Sequence, residues 1–285
     1  MQVYQNTASS MGTRFNLLLP GIDKFECDQR FSSCLQELNR LENMLSCFIP
    51  TSEISFLNDQ AFNAPIKVSD ELFTILNSCL TYYELTEKTF DISLGKIIDN
   101  QERILIEEIG ADKVLFNDKD KTVQFASAQI KLNLGGFGKG YALLKIRDLL
   151  IKLGVSSAFI SFGESSICCI GKHPYGDYWL VGIQDFYHKD KSIDTLKLVD
   201  QSVSTSGNMK VNDHIINPAN GKVVTAKKLI TVKCNSPLDA EVLSTAFMIA
   251  DNLQKVKILE AFSGLEILEV TYNNQIAEIS KYKSQ

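Results

Sequence analysis

The chain has no block of lysine and arginine, no long apolar run and no CxxC pair. It also lacks internal repeats, low-complexity tracts and any Pro/Gly/Ser-rich linker. Each absence excludes something. With 34 acidic against 29 basic residues, net charge −5, there is no electrostatic case for nucleic acid or an anionic membrane. Nothing approaches the ~20 apolar residues of a spanning helix. Residues 1–15 (MQVYQNTASSMGTRF) show no basic head, apolar centre or small-residue cleavage site. The sequence as given therefore reads as cytoplasmic, or as periplasmic or membrane-anchored if an export signal has been removed. Seven cysteines, an odd number in mostly apolar surroundings such as SICCIG at 166–171, predict buried free thiols rather than a disulfide framework or a zinc site.

What is present is a 285-residue chain with 45% hydrophobic residues, enough for a substantial core in one large domain or two closely packed lobes. Apolar residues at Phe31, Cys34, Leu35, Leu38, Leu41 and Leu45 predict a helix over 28–47. Ser69 caps a second helix running to about Leu85. A strand is expected at 14–19 and short strands within 113–134. A helix follows the glycines at 135–140 and stops at Gly154, and strands return over 157–183. Two further strands are expected near 212–217 and 229–235, with helices at 238–250 and 252–262 and a strand pair at 265–280. Strands come both in runs and alternating with helices, which points to an α+β chain of mixed layers.

Four stretches could carry chemistry. NLGGFGKGYALLK, 133–145, ends an apolar run in four glycines and opens a helix. Backbone amides and the helix dipole at such a turn suit phosphate, and Lys139 adds a positive charge. The spacing fits neither GxGxxG nor GxxxxGK[ST], so by itself the turn serves a phosphate or only the chain's own bend. SVSTSGNMKVNDHIINPANGK, 202–222, crowds hydroxyls beside a glycine turn and brings up His214. In SPLDAEVLSTAF, 236–247, Glu241 and Thr245 share a helix face and offer oxygen ligands of the kind Mg²⁺ accepts. The ordinary alternative is a helix capped by Ser236 or Asp239. KTFDISLGK, 88–96, places Asp91 before a turn.

The order of these stretches says more than any one of them. MGT (11–13), LSCFIPTSEISFLN (45–58), TFDISLGK (89–96), LNLGGFGKGYALLK (132–145), ISFGESSICCIG (160–171), YWLVGI (178–183), SVSTSGN (202–208), HIINPANGK (214–222) and AEVLSTAF (240–247) together resemble the FAD:protein FMN transferase (ApbE) family, from about Met11 to Ile249. The resemblance implies a single flavin transferase domain over 1–285. It would be α+β, with mixed, largely antiparallel sheets, packed helices and a ligand cleft between two lobes. It implies a Mg²⁺-dependent reaction in which FAD is the substrate. FMN passes to a Thr or Ser hydroxyl of an acceptor flavoprotein through a phosphodiester, and AMP leaves. Splitting of FAD to FMN and AMP, or FAD binding without turnover, are the alternatives.

Residue by residue, the resemblance puts Met11, Phe48, Thr89, Phe90, Asp91, Lys139, Thr205, His214 and Ile216 at the FAD site. It puts the carbonyl of Gly136, with Glu241 and Thr245, at the metal. His214 and Asp91 are its candidate proton carriers. Glu241 stands where an aspartate is usual. The expected partners are FAD and an acceptor flavoprotein bearing a Thr/Ser motif, with a homodimer left open and no nucleic acid.

Overall fold

The structure is a computed structural model that describes residues 2–98, 105–188, 190–208 and 215–285. In chain order, strands β1 (Val3–Ser10) and β2 (Thr13–Pro20) form a hairpin. Helices α1 (Lys24–Leu45) and α2 (Glu53–Gln60) come next, then β3 (Ile66–Lys67), α3 (Asp70–Leu85), the short α4 (Gly95–Ile98), β4 (Val114–Asn117) and β5 (Thr122–Phe125). Helix α5 (Gly138–Lys152) leads into β6 (Ala158–Phe162), β7 (Ser166–Ile170), β8 (Trp179–Gln184), β9 (Ser192–Leu198) and β10 (Ser202–Gly207). The chain closes with β11 (Ile216–Asn217), β12 (Lys222–Val223), β13 (Lys228–Cys234), α6 (Pro237–Ile249), α7 (Asn252–Ala261), β14 (Glu266–Asn273) and β15 (Ile276–Lys283).

Eight strands form the main sheet, in the order β1-β2-β6-β7-β10-β13-β14-β15, and every neighbouring pair is antiparallel. The expected α+β class with largely antiparallel sheets holds. Side chains alternate between the two faces of a strand, and here both faces of the sheet's centre are covered. On one side α5 and α6 pack against β7, β10 and β13. On the other, Ile167, Cys169 and Val203 meet Trp179, Val181 and Leu198 of the β8–β9 hairpin. This is why SICCI has no polar alternation: all five residues of β7 are buried. Six of the seven cysteines are buried free thiols, and Cys47 is half-buried.

Local sequence explains the helices. In α1 the buried residues Cys27, Cys34, Leu38, Leu41 and Leu45 recur at helical spacing, and Asp23 caps the first turn. Ser69 caps α3 by accepting from Leu72 N. Helix α6 is buried nearly all round, as a helix inserted between layers must be. Its first turn is fixed by Pro237 and by Ser236, whose hydroxyl accepts from Asp239 N at 3.1 Å. Tyr82 of α3 donates to Asp239 Oδ1.

Several expectations need correcting. SVSTSG is a central strand with both edges paired, because its small hydroxyl side chains fit under α6. Strands β1 and β9 and helix α2 lie outside the expected elements. Of 113–134, only β4 and β5 pair as strands. Residues 131–133 instead run beside 92–95 through Asn133 N to Ile92 O at 2.7 Å and Gly95 N to Lys131 O at 2.7 Å. Residues 212–214, where another strand was expected to start, lie outside the described residues.

Glu71 ties three helices together. It accepts from Arg40 of α1 at 2.6 Å and from Tyr141 of α5 at 2.8 Å, and Lys145 lies 3.2 Å away. The Arg40 guanidinium is the largest of the influences that hold its carboxyl down at about 2. A group whose folded pKa is depressed contributes stability above its unfolded value and loses it as pH falls through the folded one. Glu71→Gln should therefore lower the urea midpoint at neutral pH. The gap to the native chain should close as pH falls from about 4.5 to about 2, followed by circular dichroism.

Candidate functional site

The site is built around the buried carboxylate of Glu241, 4% exposed on α6. Its Oε2 accepts from Ser166 Oγ at 2.7 Å and from Ser204 Oγ at 2.9 Å. These serines are direct cross-strand partners of β7 and β10, so their hydroxyls face α6 as a pair. Oε1 is held by the ammonium of Lys139, in the first turn of α5. Burial alone would raise this carboxyl. The charge of Lys139 and the three hydrogen bonds outweigh it and hold the group below its usual value.

Close backbone approach makes this arrangement possible. A Cβ on Gly140 would come within 2.5 Å of Glu241 Cβ and 2.8 Å of the Pro237 carbonyl. A Cβ on Gly136 would lie 3.2 Å from Thr245 Oγ1 and 3.4 Å from Phe90 Cε2. Thr245 thus neighbours the backbone of Gly136, one turn along α6 from Glu241. Thr245 Oγ1 lies 3.4 Å from both Ser206 Oγ and the Glu241 carbonyl.

On the other side of Lys139 opens a pocket of about 480 Å³, lined by Met11, Glu42, Cys47, Phe48, Asn133 and the glycine turn. Three predicted residues, Met11, Phe48 and Lys139, therefore meet at one cavity. Met11 and Gly12 form the two-residue turn of the first hairpin, and Met11 has φ 49°. That conformation is uncommon for a side chain of this kind, and Glu42 Oε2 accepts from its N–H at 3.1 Å. The Phe48 side chain is largely exposed, at 81%.

The remaining predicted residues lie elsewhere around this centre. Phe90 is buried against Tyr82 and the glycine turn. Thr89 donates to Thr86 O at 2.7 Å. Asp91 accepts from Ser93 N at 2.7 Å, and burial raises its carboxyl. Thr205 points to the sheet face opposite Ser204, bonded to Thr231 Oγ1 at 2.9 Å. It lines a second, open groove of about 1250 Å³ with Arg14 and Ser165. Ile216 packs with Leu94 and Ile109. His214 lies outside the described residues.

Sequence reasoning did not single out Ser166 or Glu42, and it gave Ser204 and Asn133 no contact with this centre. Asn133 Oδ1 accepts from Gly135 N at 2.8 Å and shapes the glycine turn. The signal for Ser204 was the period-two pattern Ser202, Ser204, Ser206, which places three hydroxyls on one strand face. Ser206 Oγ meets Ser244 Oγ of α6 at 2.8 Å. Nothing in the sequence paired Ser166 with Ser204, because that contact depends on strand register.

The chain is 26% identical over 275 residues to the FAD:protein FMN transferase of Treponema pallidum, covering 81% of this chain and 74% of that protein. It is 24% identical to the protein of the same name from Escherichia coli K12, covering 92% and 82%. In fold it is similar to the ApbE protein of Thermotoga maritima, with TM-score 0.85, 23% identity and coverage of 98% and 97%. It is equally similar to the apo flavinyl transferase ApbE of Pseudomonas stutzeri, with TM-score 0.86, 19% identity and coverage of 99% and 95%. The sequence pattern of the ApbE family matches residues 11–268, nine-tenths of the chain and every element of the Glu241 centre, and the chain belongs to that family.

Proposed function

We propose that this protein is a flavin transferase that moves the FMN half of FAD onto a Thr or Ser hydroxyl of an acceptor flavoprotein. One phosphoanhydride P–O bond breaks and one phosphoester P–O bond forms. AMP leaves, and the hydroxyl proton is released. The observation that carries this reading is the meeting of a buried, oxygen-rich carboxylate centre with a pocket, across the single side chain of Lys139. The names of the curated relatives supply the substrate.

The donor set suits Mg²⁺. Glu241, Thr245 and the Gly136 carbonyl offer hard oxygens, and among the described residues no cluster of three or more His, Cys, Asp or Glu could hold a metal ion. A site with one carboxylate fits a cation that takes its remaining ligands from water and substrate phosphates. Bound there, Mg²⁺ would supply Lewis-acid stabilisation of the phosphoryl oxygens. Lys139 and the N-terminal amides of α5 would neutralise the diphosphate. Phe48 and Met11 would cover an aromatic ring of FAD. Asp91, with its raised carboxyl, or His214 would accept the hydroxyl proton.

The test is incubation with FAD and an acceptor domain, with and without Mg²⁺, read by chromatography and by flavin fluorescence in a denaturing gel. AMP release with a fluorescent acceptor is expected. Free FMN plus AMP with an unlabelled acceptor would establish hydrolysis instead, and bound, unchanged FAD would leave a flavin-binding protein. Phe48→Ala should raise KM for FAD by roughly two- to tenfold, the value of one aromatic contact. Its melting temperature should not change, because the ring is exposed.

A further inference from the structure

The two oxygens of Glu241 are held differently. Oε2 is fixed by the Ser166 and Ser204 hydroxyls at 2.7 and 2.9 Å. Both come from paired positions of two central strands, so that side of the carboxylate is rigid. Oε1 is held by Lys139. The Lys139 side chain is a quarter exposed against 5% for Glu241, and it also lines the 480 Å³ pocket. A lysine head is a compact charge on a flexible four-carbon stem. It can therefore leave the carboxylate for the pocket without moving the helix that carries it.

A divalent cation using Glu241 must use Oε1, and two positive charges on one carboxylate oxygen repel strongly. From this we infer that Lys139 is the resident countercharge of the substrate-free centre, and that it competes with the cation for Glu241 Oε1. A diphosphate entering the pocket draws the ammonium away and opens Oε1. Cation and dinucleotide then favour each other, as linkage requires. The ammonium keeps the buried carboxylate neutralised until both arrive. The inference rests on the metal and dinucleotide reading given above.

The test uses Mn²⁺ alone, without nucleotide, titrated into the native protein, Lys139→Met and Glu241→Ala and read by electron paramagnetic resonance. Lys139→Met should bind Mn²⁺ about tenfold or more tightly than the native protein, and Glu241→Ala should lose the site. If Glu241→Ala loses the site but Lys139→Met binds no more tightly than the native chain, the competition is wrong and the metal reading stands. Native-like Mn²⁺ binding by Glu241→Ala would overturn the metal reading itself. A second measurement needs no variant: acylation of lysines in the native protein, mapped by mass spectrometry with and without Mg²⁺. Lys139 labelling should rise several-fold with Mg²⁺ while other lysines stay constant, and unchanged labelling overturns the inference.

Discussion

Glu241→Ala is expected to lower FMN transfer by about a hundred- to thousandfold, the cost of removing a principal electrostatic group from a preorganised site. The fold should survive. Breaking a buried ion pair commonly costs ~3–5 kcal/mol because a charge is stranded. Lys139, however, already reaches the pocket and can rehydrate there. Ser204 keeps a hydroxyl partner in Ser244, 3.3 Å away. The loss should fall on kcat, with native circular dichroism and a melting temperature close to that of the native chain. Glu241→Asp should be intermediate: the shorter side chain cannot reach the Ser166 and Ser204 hydroxyls and Lys139 together. A variant that keeps native turnover would remove Glu241 from the chemistry.

Gly140→Ala should be the most damaging single-methyl change at the site. Alanine usually favours a helix over glycine by up to ~1 kcal/mol. Here the added Cβ would meet Glu241 Cβ at 2.5 Å, the Pro237 carbonyl at 2.8 Å and Leu238 Cα at 3.0 Å. Two of these three neighbours are backbone and cannot rotate away. Overpacking of this kind costs ~1–3 kcal/mol, so the clash outweighs the propensity gain. Helices α5 and α6 must separate, carrying Lys139 away from Glu241. A displacement of order 1 Å at a reacting centre costs about 10²-fold in rate. Gly138→Ala is the control, since nothing lies within 4 Å of its added Cβ. Denaturant titration should show a lower midpoint for the first variant and none for the second. A midpoint unchanged in Gly140→Ala would mean that the helices yield without cost.

How much was legible beforehand depended on whether a signal was local. The cap at Ser69 and the helical period of α1 were read directly, because each depends on residues within a few positions of one another, and Ser236 stood beside Asp239 as a candidate cap. The pairing of Glu241 with Thr245 on one helix face was read directly too. Residues 202–207, expected only as hydroxyls beside a glycine turn, form the central strand β10. Its small polar residues look like loop material until α6 is known to cover them. Strand β9, Ser192–Leu198, carries mostly exposed or half-buried side chains and showed no strong alternation to find.

The amino-acid sequence by itself determined the α+β class, the family and the set of residue types at the site: the glycines, the lysine, the carboxylate and the hydroxyls. The class follows from the pattern of helices and strands, whereas the family and the candidate site residues come from the resemblance carried by motif order along the chain. Only the tertiary structure decided which oxygen of Glu241 is held and by what. Ser166 and Ser204 are 38 residues apart in sequence, yet strand register makes them partners. Lys139 and Glu241 meet because Gly140 lets two helices touch. Such contacts are set by register and helix approach across the whole fold, and no local pattern carries them.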